Sequence, residues 1–189
     1  SLDSKHIITY LIGITTDKKY NGYILIPSFD AKGEINYFVG RSYVGHKFRY
    51  KNCKMPKSEI IFNEINICWQ KELLITEGPF DLIKSNVNGT CLLGSSLNQK
   101  NKLFKKIIEN NTPVLLCLDS DTKGIEKTLK IATLLTQYDI KVKIIDLEKK
   151  YKDLADMPKD MWQSIYNKQR NNDNIDSIKI LKRKIEGII

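Results

Sequence analysis

A chain of 189 residues with 41% apolar side chains is long enough for one sizeable core or two small joined ones, and too short for several independent domains. Its 31 Lys and Arg against 22 Asp and Glu leave a formal charge of +9 and a pI near 9.3, which favours a polyanionic partner, nucleic acid first, although charge of this size decides nothing alone. No apolar run approaches the roughly 18 residues of a membrane span, and Cys53, Cys68, Cys91 and Cys117 stand too far apart for a CxxC zinc or redox pair.

We therefore expect reduced core thiols and no zinc. The amino terminus lacks the basic, apolar, small-residue order of a signal peptide, so a cytoplasmic protein without membrane attachment is expected. Ser1 in first place leads us to expect a fragment of a longer chain. The richness in Lys, Ile and Asn suggests an AT-rich genome, such as that of a phage or plasmid in a bacterial cell.

Two short strand-like runs, residues 22–28 and 34–40, flank Asp30-Ala31-Lys32-Gly33, whose turn-forming residues predict a hairpin. From Arg41 to Lys57 the apolar pattern breaks down. Arg41, Lys47, Arg49, Lys51, Lys54 and Lys57 alternate loosely with Tyr43, Phe48 and Tyr50, the composition of a basic, aromatic loop or irregular strand. After Lys71 short apolar runs at 72–76, 90–93, 113–118 and 140–147 predict strands separated by helices. Leu103, Phe104, Ile107 and Ile108 make one helical face, and Ile125, Leu129, Ala132 and Leu135 another.

This βαβ order predicts a Rossmann-like parallel sheet with flanking helices, preceded by a small β-rich basic subdomain. The expected division is a basic α+β subdomain over 1–70, the parallel-sheet domain over 71–158, and a helical tail over 159–189. Ile178, Leu181, Ile185 and Ile188 would give that tail a terminal helix.

In an open parallel sheet, ligands gather at the carboxyl ends of the strands. Glu77 follows the first strand of this sheet and Asp119 the third, and Asp121 lies two residues on, where extended backbone turns side chains to the same side. Hard carboxylate oxygens in such a group suit Mg²⁺ or Mn²⁺ bridging to phosphate. The alternative for an Asp-Ser-Asp after a strand is helix capping, for which Asp is well suited.

The constellation closely resembles the Toprim family, shared by bacterial-type primases, topoisomerases and some nucleases. Glu77-Gly78-Pro79-Phe80-Asp81 looks like the family's EGxxD, and Asp119-Ser120-Asp121 looks like its DxD. Leu92-Leu93-Gly94-Ser95-Ser96-Leu97 resembles the small-residue turn after the second strand, and Gly124 stands where the family often opens the next helix. The resemblance implies that Glu77 is the general acid or base and that Asp119 and Asp121 are metal ligands, with Glu77 free to join them. Lys152-Asp153-Leu154-Ala155-Asp156 is similar to a Lys-Asp segment closing primase Toprim regions, which makes Asp153 a further metal-site candidate or, alternatively, a helix cap. Gly78, Asp81 and Lys123 are secondary candidates, with Asp81 either orienting a basic residue or capping its helix.

The first 70 residues bear on which Toprim chemistry applies. Ile26-Pro27-Ser28-Phe29-Asp30, Gly33 and Phe38-Val39-Gly40-Arg41 resemble the amino-terminal subdomain of a DnaG-type primase core. Arg49-Tyr50-Lys51-Asn52 looks like its Lys-Tyr-x-Asn element, with Arg for Lys. By this resemblance Arg41, Lys47, Arg49, Lys51 and Asn52 would line a template and nucleotide path. The implied activity is metal-dependent, DNA-templated synthesis of short RNA primers. The implied partners are a single-stranded DNA template, ribonucleoside triphosphates, and a replicative helicase or further domains of a longer protein.

Two alternatives stay open: a Toprim nuclease, and a non-catalytic single-stranded nucleic-acid-binding module with Tyr43, Phe48 and Tyr50 stacking on bases. A topoisomerase is disfavoured, since no Tyr stands in the context of a strand-cleaving element.

Overall fold

The computed structural model describes residues 3–147 and 150–170. The apolar positions Ile178, Leu181, Ile185 and Ile188 lie outside the described residues. Helix α1 (Ser4–Thr9) opens the chain, with Asp3 accepting from the His6 amide at 3.0 Å. It buries none of its residues.

The hairpin forms as expected from β1 (Tyr23–Phe29) and β2 (Ile35–Ser42), paired antiparallel with a register shift at Ser28/Phe29. Asp30 builds the turn: its Oδ1 accepts from the amides of Lys32 at 2.8 Å and Glu34 at 3.0 Å. Gly33 takes φ of +85°, which glycine adopts without steric cost. Ile26, Tyr37 and Val39 point inward from the hairpin and pack against Phe62 and against Leu82 and Ile83.

The second sheet is four-stranded and parallel, in the order β4 (Gly89–Cys91), β3 (Leu73–Thr76), β5 (Val114–Cys117), β6 (Val142–Ile144). Every residue of β3 and β5 is buried, as helices on both faces of a parallel sheet require. The pleat divides them. Leu73, Ile75, Val114 and Leu116 meet Leu103, Phe104 and Ile107 of α3 (Lys102–Glu109) and Ile131, Ala132 and Leu135 of α4 (Thr122–Thr136). Leu74, Leu115 and Cys117 face the other way, onto Leu154, Met157 and Trp162, the last carried by α5 (Lys159–Arg170). Trp162 also donates its Nε1–H to the Ser85 carbonyl at 3.0 Å, fastening α5 to the end of α2 (Pro79–Ser85).

The thiols divide similarly. Cys91 lies in the hairpin-side cluster and Cys117 in the α5-side cluster, and burial pushes both thiols well above their ordinary range. Cys53 and Cys68 are only partly covered.

Asn88, in the turn before β4, ties the segment ahead of the sheet to it. Its Oδ1 accepts from the Cys68 amide at 2.8 Å, and its Nδ2 donates to the carbonyls of Cys68 and Glu72 at 3.0 Å each. Asn88→Ala removes the side-chain partner of the Cys68 amide and of the Glu72 carbonyl, while the Cys68 carbonyl keeps the Lys71 amide, and is expected to cost about 2–3 kcal/mol in urea unfolding. No described helix is long and apolar enough to cross a membrane.

Candidate active site

The carboxyl ends of β3 and β5, the hairpin and the segment before α5 converge on one cleft of about 610 Å³. Its walls include Arg41, Arg49, Tyr50, Phe80, Lys152 and five carboxylates, those of Glu77, Asp81, Asp119, Asp153 and Asp156. A smaller cavity of about 270 Å³ adjoins it through Tyr50, Glu77, Gly78 and Pro79, with Val39, Asn52, Leu93 and Gly94 behind.

Each acidic residue sits there for a local reason. Glu77 is the first residue beyond β3, and the Lys127 ammonium of α4 lies 2.6 Å from its Oε1. Its Oε2 is buried and has no hydrogen-bond partner. Asp81 serves two ends of the cleft floor: Oδ2 accepts from the Gly78 amide at 3.2 Å and Oδ1 from the Ala155 amide at 3.1 Å. Burial, followed by the charge of Asp153, pushes Asp81 up to about 7, against the opposing pull of the Ala155 amide. Asp119 follows β5 and is pushed up to about 6 by burial first, then by Glu77, Asp153 and Asp121. Asp153 starts the short 3-10 turn Leu154–Asp156, accepting from the Asp156 amide at 3.0 Å. Asp121 caps α4 through the Gly124 amide at 2.8 Å and is not among the residues lining the cleft.

The glycine at 124 is dictated by this arrangement. A Cβ there would stand 2.0 Å from the Asp119 carbonyl oxygen, so only glycine lets α4 start so close to the end of β5.

On the basic side, the Arg41 guanidinium lies 4.8 Å from the ring centre of Tyr50 and 5.3 Å from that of Phe80, and it donates to the Tyr50 hydroxyl. These two ring contacts and the hydrogen bond hold it at the cleft wall. Arg49 lines the same cleft. Lys51 instead donates to the Lys19 carbonyl and lies over the rings of Tyr20 and Tyr23, so the structure directs it away from the acidic group. Lys47 and Lys123 are exposed and outside the cleft walls, and Asn52 belongs to the smaller cavity.

Lys127 and Phe80 enter the site without having been singled out for roles from the sequence. For Lys127 the available signal is helical spacing: it lies three residues after the buried Gly124 and beside the buried Thr128.

Carboxylate oxygens beside one another, with raised proton affinity and one buried oxygen unpartnered, have the donor chemistry of a site for a hard divalent cation. The candidates to hold it are Glu77, Asp119 and Asp153 on the cleft walls, and Asp121, which acts on Asp119 as a like charge while its Oδ1 caps α4. Among the described residues, no three acidic, histidine or cysteine side chains close into a metal-binding group in the present arrangement.

A Toprim-like family model matches residues 74–157. A DNA primase of Staphylococcus aureus (strain COL) is 28% identical over 141 residues, covering 68% of this chain and 23% of that protein. A DNA primase of Mycoplasma pneumoniae is 31% identical over 138 residues, covering 67% of this chain and 22% of that protein. This chain therefore spans under a quarter of the length of these curated relatives. A solved DnaG primase catalytic domain bound to single-stranded DNA has the same fold, with a TM-score of 0.71 at 16% identity over 88% of this chain and 68% of that one.

Proposed function

We propose, on the premise that residues 74–157 form a Toprim-like domain, that this chain is the polymerising core of a DNA primase, joining ribonucleotides on single-stranded DNA. The observation that carries this reading is the cleft itself, where basic and aromatic groups of the hairpin face a carboxylate cluster on the parallel sheet. The similarity to curated primases supports it, because it covers 68% of the chain and so reaches well beyond residues 74–157. An enzyme that only cut phosphodiesters would need the carboxylates, but it has less use for a second wall suited to a template and a triphosphate.

Mg²⁺ or Mn²⁺ held by Glu77, Asp119 and Asp153 would neutralise phosphate oxygens and stabilise charge developing on the attacking and leaving oxygens. Arg41, stiffened between Tyr50 and Phe80, presents its guanidinium donors to a phosphate in a fixed orientation. Arg49 and Lys152 add positive charge on the cleft walls. Glu77 serves either as a ligand of that ion or, where the ion leaves it free, as the base that takes the proton from an attacking 3′-hydroxyl, its Oε2 having no protein partner. Asp121 acts through Gly124 by fixing the start of α4, and Asp81 by tying Gly78 to Ala155. The Tyr50 ring beside both cavities offers a stacking surface for a base. Further domains of a longer protein, or a replicative helicase, would complete template selection.

The test is incubation of the chain with unprimed single-stranded DNA of mixed sequence, labelled ribonucleotides and Mg²⁺ or Mn²⁺. Short labelled RNA that requires both template and metal is the expected product. Cleavage of the input DNA without RNA would replace this reading by a nuclease. Intact, tightly bound DNA without product would replace it by a binding module.

A further inference from the structure

We propose that Lys127 is a placeholder cation, occupying the Glu77 carboxylate in the metal-free protein and competing with a divalent metal for it. This rests on reading the cleft as a metal-dependent phosphoryl-transfer site. The pair joins α4 to the end of β3 across fifty residues of sequence, at 2.6 Å. It is largely enclosed, the two side chains being 23% and 21% exposed, which separates it from a solvated surface bridge.

The surroundings of the pair are acidic. Asp119 senses Glu77, Asp153 and Asp121 as like charges. Without a counter-charge, Glu77 would face these carboxylates with both oxygens free. Lys127 neutralises one oxygen and leaves Oε2 buried and unpartnered, so the carboxylate keeps its position beyond β3 with one oxygen that no protein group engages. A hard dication needs close oxygen contact and repels an ammonium at the same carboxylate. Metal binding therefore requires Lys127 to yield Glu77. The lysine stabilises the empty site at the expense of metal affinity, which makes the metal exchangeable rather than resident.

The test is Mn²⁺ titration of the full chain, following the free-ion electron paramagnetic resonance signal, for the parent protein, Lys127→Met and Lys127→Arg. Methionine keeps the length and helix propensity of lysine without its charge. A unit charge a few ångströms from a dication opposes its binding by roughly tenfold even in a water-like dielectric. Lys127→Met is accordingly expected to bind Mn²⁺ about tenfold more tightly, and Lys127→Arg to stay near the parent. In metal-free buffer the methionine protein should melt at a lower temperature, and saturating Mn²⁺ should raise its melting temperature by more than it raises the parent's. Equal or weaker Mn²⁺ binding by a folded Lys127→Met protein, with binding by the parent intact, overturns the placeholder role alone. No Mn²⁺ binding by either protein overturns the metal-site reading and this proposal together. If the methionine protein does not fold, Lys127→Gln takes its place in the same titration, with the same tightening expected and the same results overturning the proposal.

Discussion

On the proposed primase reading, Asp119→Asn is expected to lower primer synthesis about a hundredfold or more while leaving the melting temperature unchanged or slightly raised. The two outcomes have separate physical origins. The carboxylate stands where β5 ends, in the cleft that holds Glu77 and Asp153, and asparagine matches its size while removing the anionic oxygen a divalent cation needs. Losing one preorganised electrostatic partner at a phosphoryl-transfer centre costs on the order of 10² or more in rate. Stability moves the other way because Asp119 is crowded: burial and neighbouring acids hold its carboxyl up at about 6, so the ionised form is uncomfortable near neutral pH. A neutral amide relieves that crowding. Primer assays paired with thermal melts in metal-free buffer check both halves. A protein that loses activity together with several degrees of melting temperature would point to a structural role for this side chain.

The second large effect is Gly124→Ala. At an ordinary helical site this change stabilises by roughly 1 kcal/mol, because alanine is the better helix former. Here the added carbon would lie 2.0 Å from the Asp119 carbonyl oxygen and 2.8 Å from its carbonyl carbon, both backbone atoms that cannot swing aside. The start of α4 must then move off the end of β5. Forcing an atom into a filled site costs about 1–3 kcal/mol, and immovable backbone places this case at the upper end. The net expectation is a loss of about 2 kcal/mol in denaturant unfolding, opposite in sign to the propensity effect. Because the clash falls on the backbone of Asp119, and Gly124 also donates the amide that fixes Asp121, activity should fall with stability.

The contrast between these two sites mirrors what the sequence made legible. The parallel sheet could be read because its inner strands are buried on both faces, so Leu73-Leu74-Ile75 and Val114-Leu115-Leu116 appear as unbroken apolar runs. Strand limits were harder. The run expected over 140–147 keeps strand geometry only at Val142–Ile144, which pair with Val114–Leu116, although Ile145 still donates to Leu116 at 2.8 Å. The hairpin was legible through Asp30 and Gly33, whose roles are local.

Helix α1 was not anticipated: it is short and buries none of its residues, and although Ile7, Ile8 and Leu11 stand at helical spacing, all three are exposed, so no core contact fixes it. At the site, Glu77 and Asp119 were visible because strand ends announce themselves. The partnership of Glu77 with Lys127 was not, since it depends on how α4 is rotated against β3. The same applies to Arg41, whose basic character was evident but whose seat between Tyr50 and Phe80 joins residues from three separate segments. Lys51 illustrates the converse: it belongs to the same basic run as Arg49, yet its neighbours Tyr20 and Tyr23 draw it elsewhere.

The division of the thiols gives the protein two built-in reporters. Cys53 and Cys68 should react quickly with an alkylating reagent in the native state, whereas Cys91 and Cys117 should wait until their surroundings open. Cys91 is sealed by the hairpin and Cys117 by the layer that includes Trp162. Mass spectrometry of partly alkylated protein would therefore time the opening of each layer separately. Simultaneous labelling of both would mean that the hairpin and the α5 layer come apart in a single step, and staggered labelling that one is shed while the other still clasps the sheet.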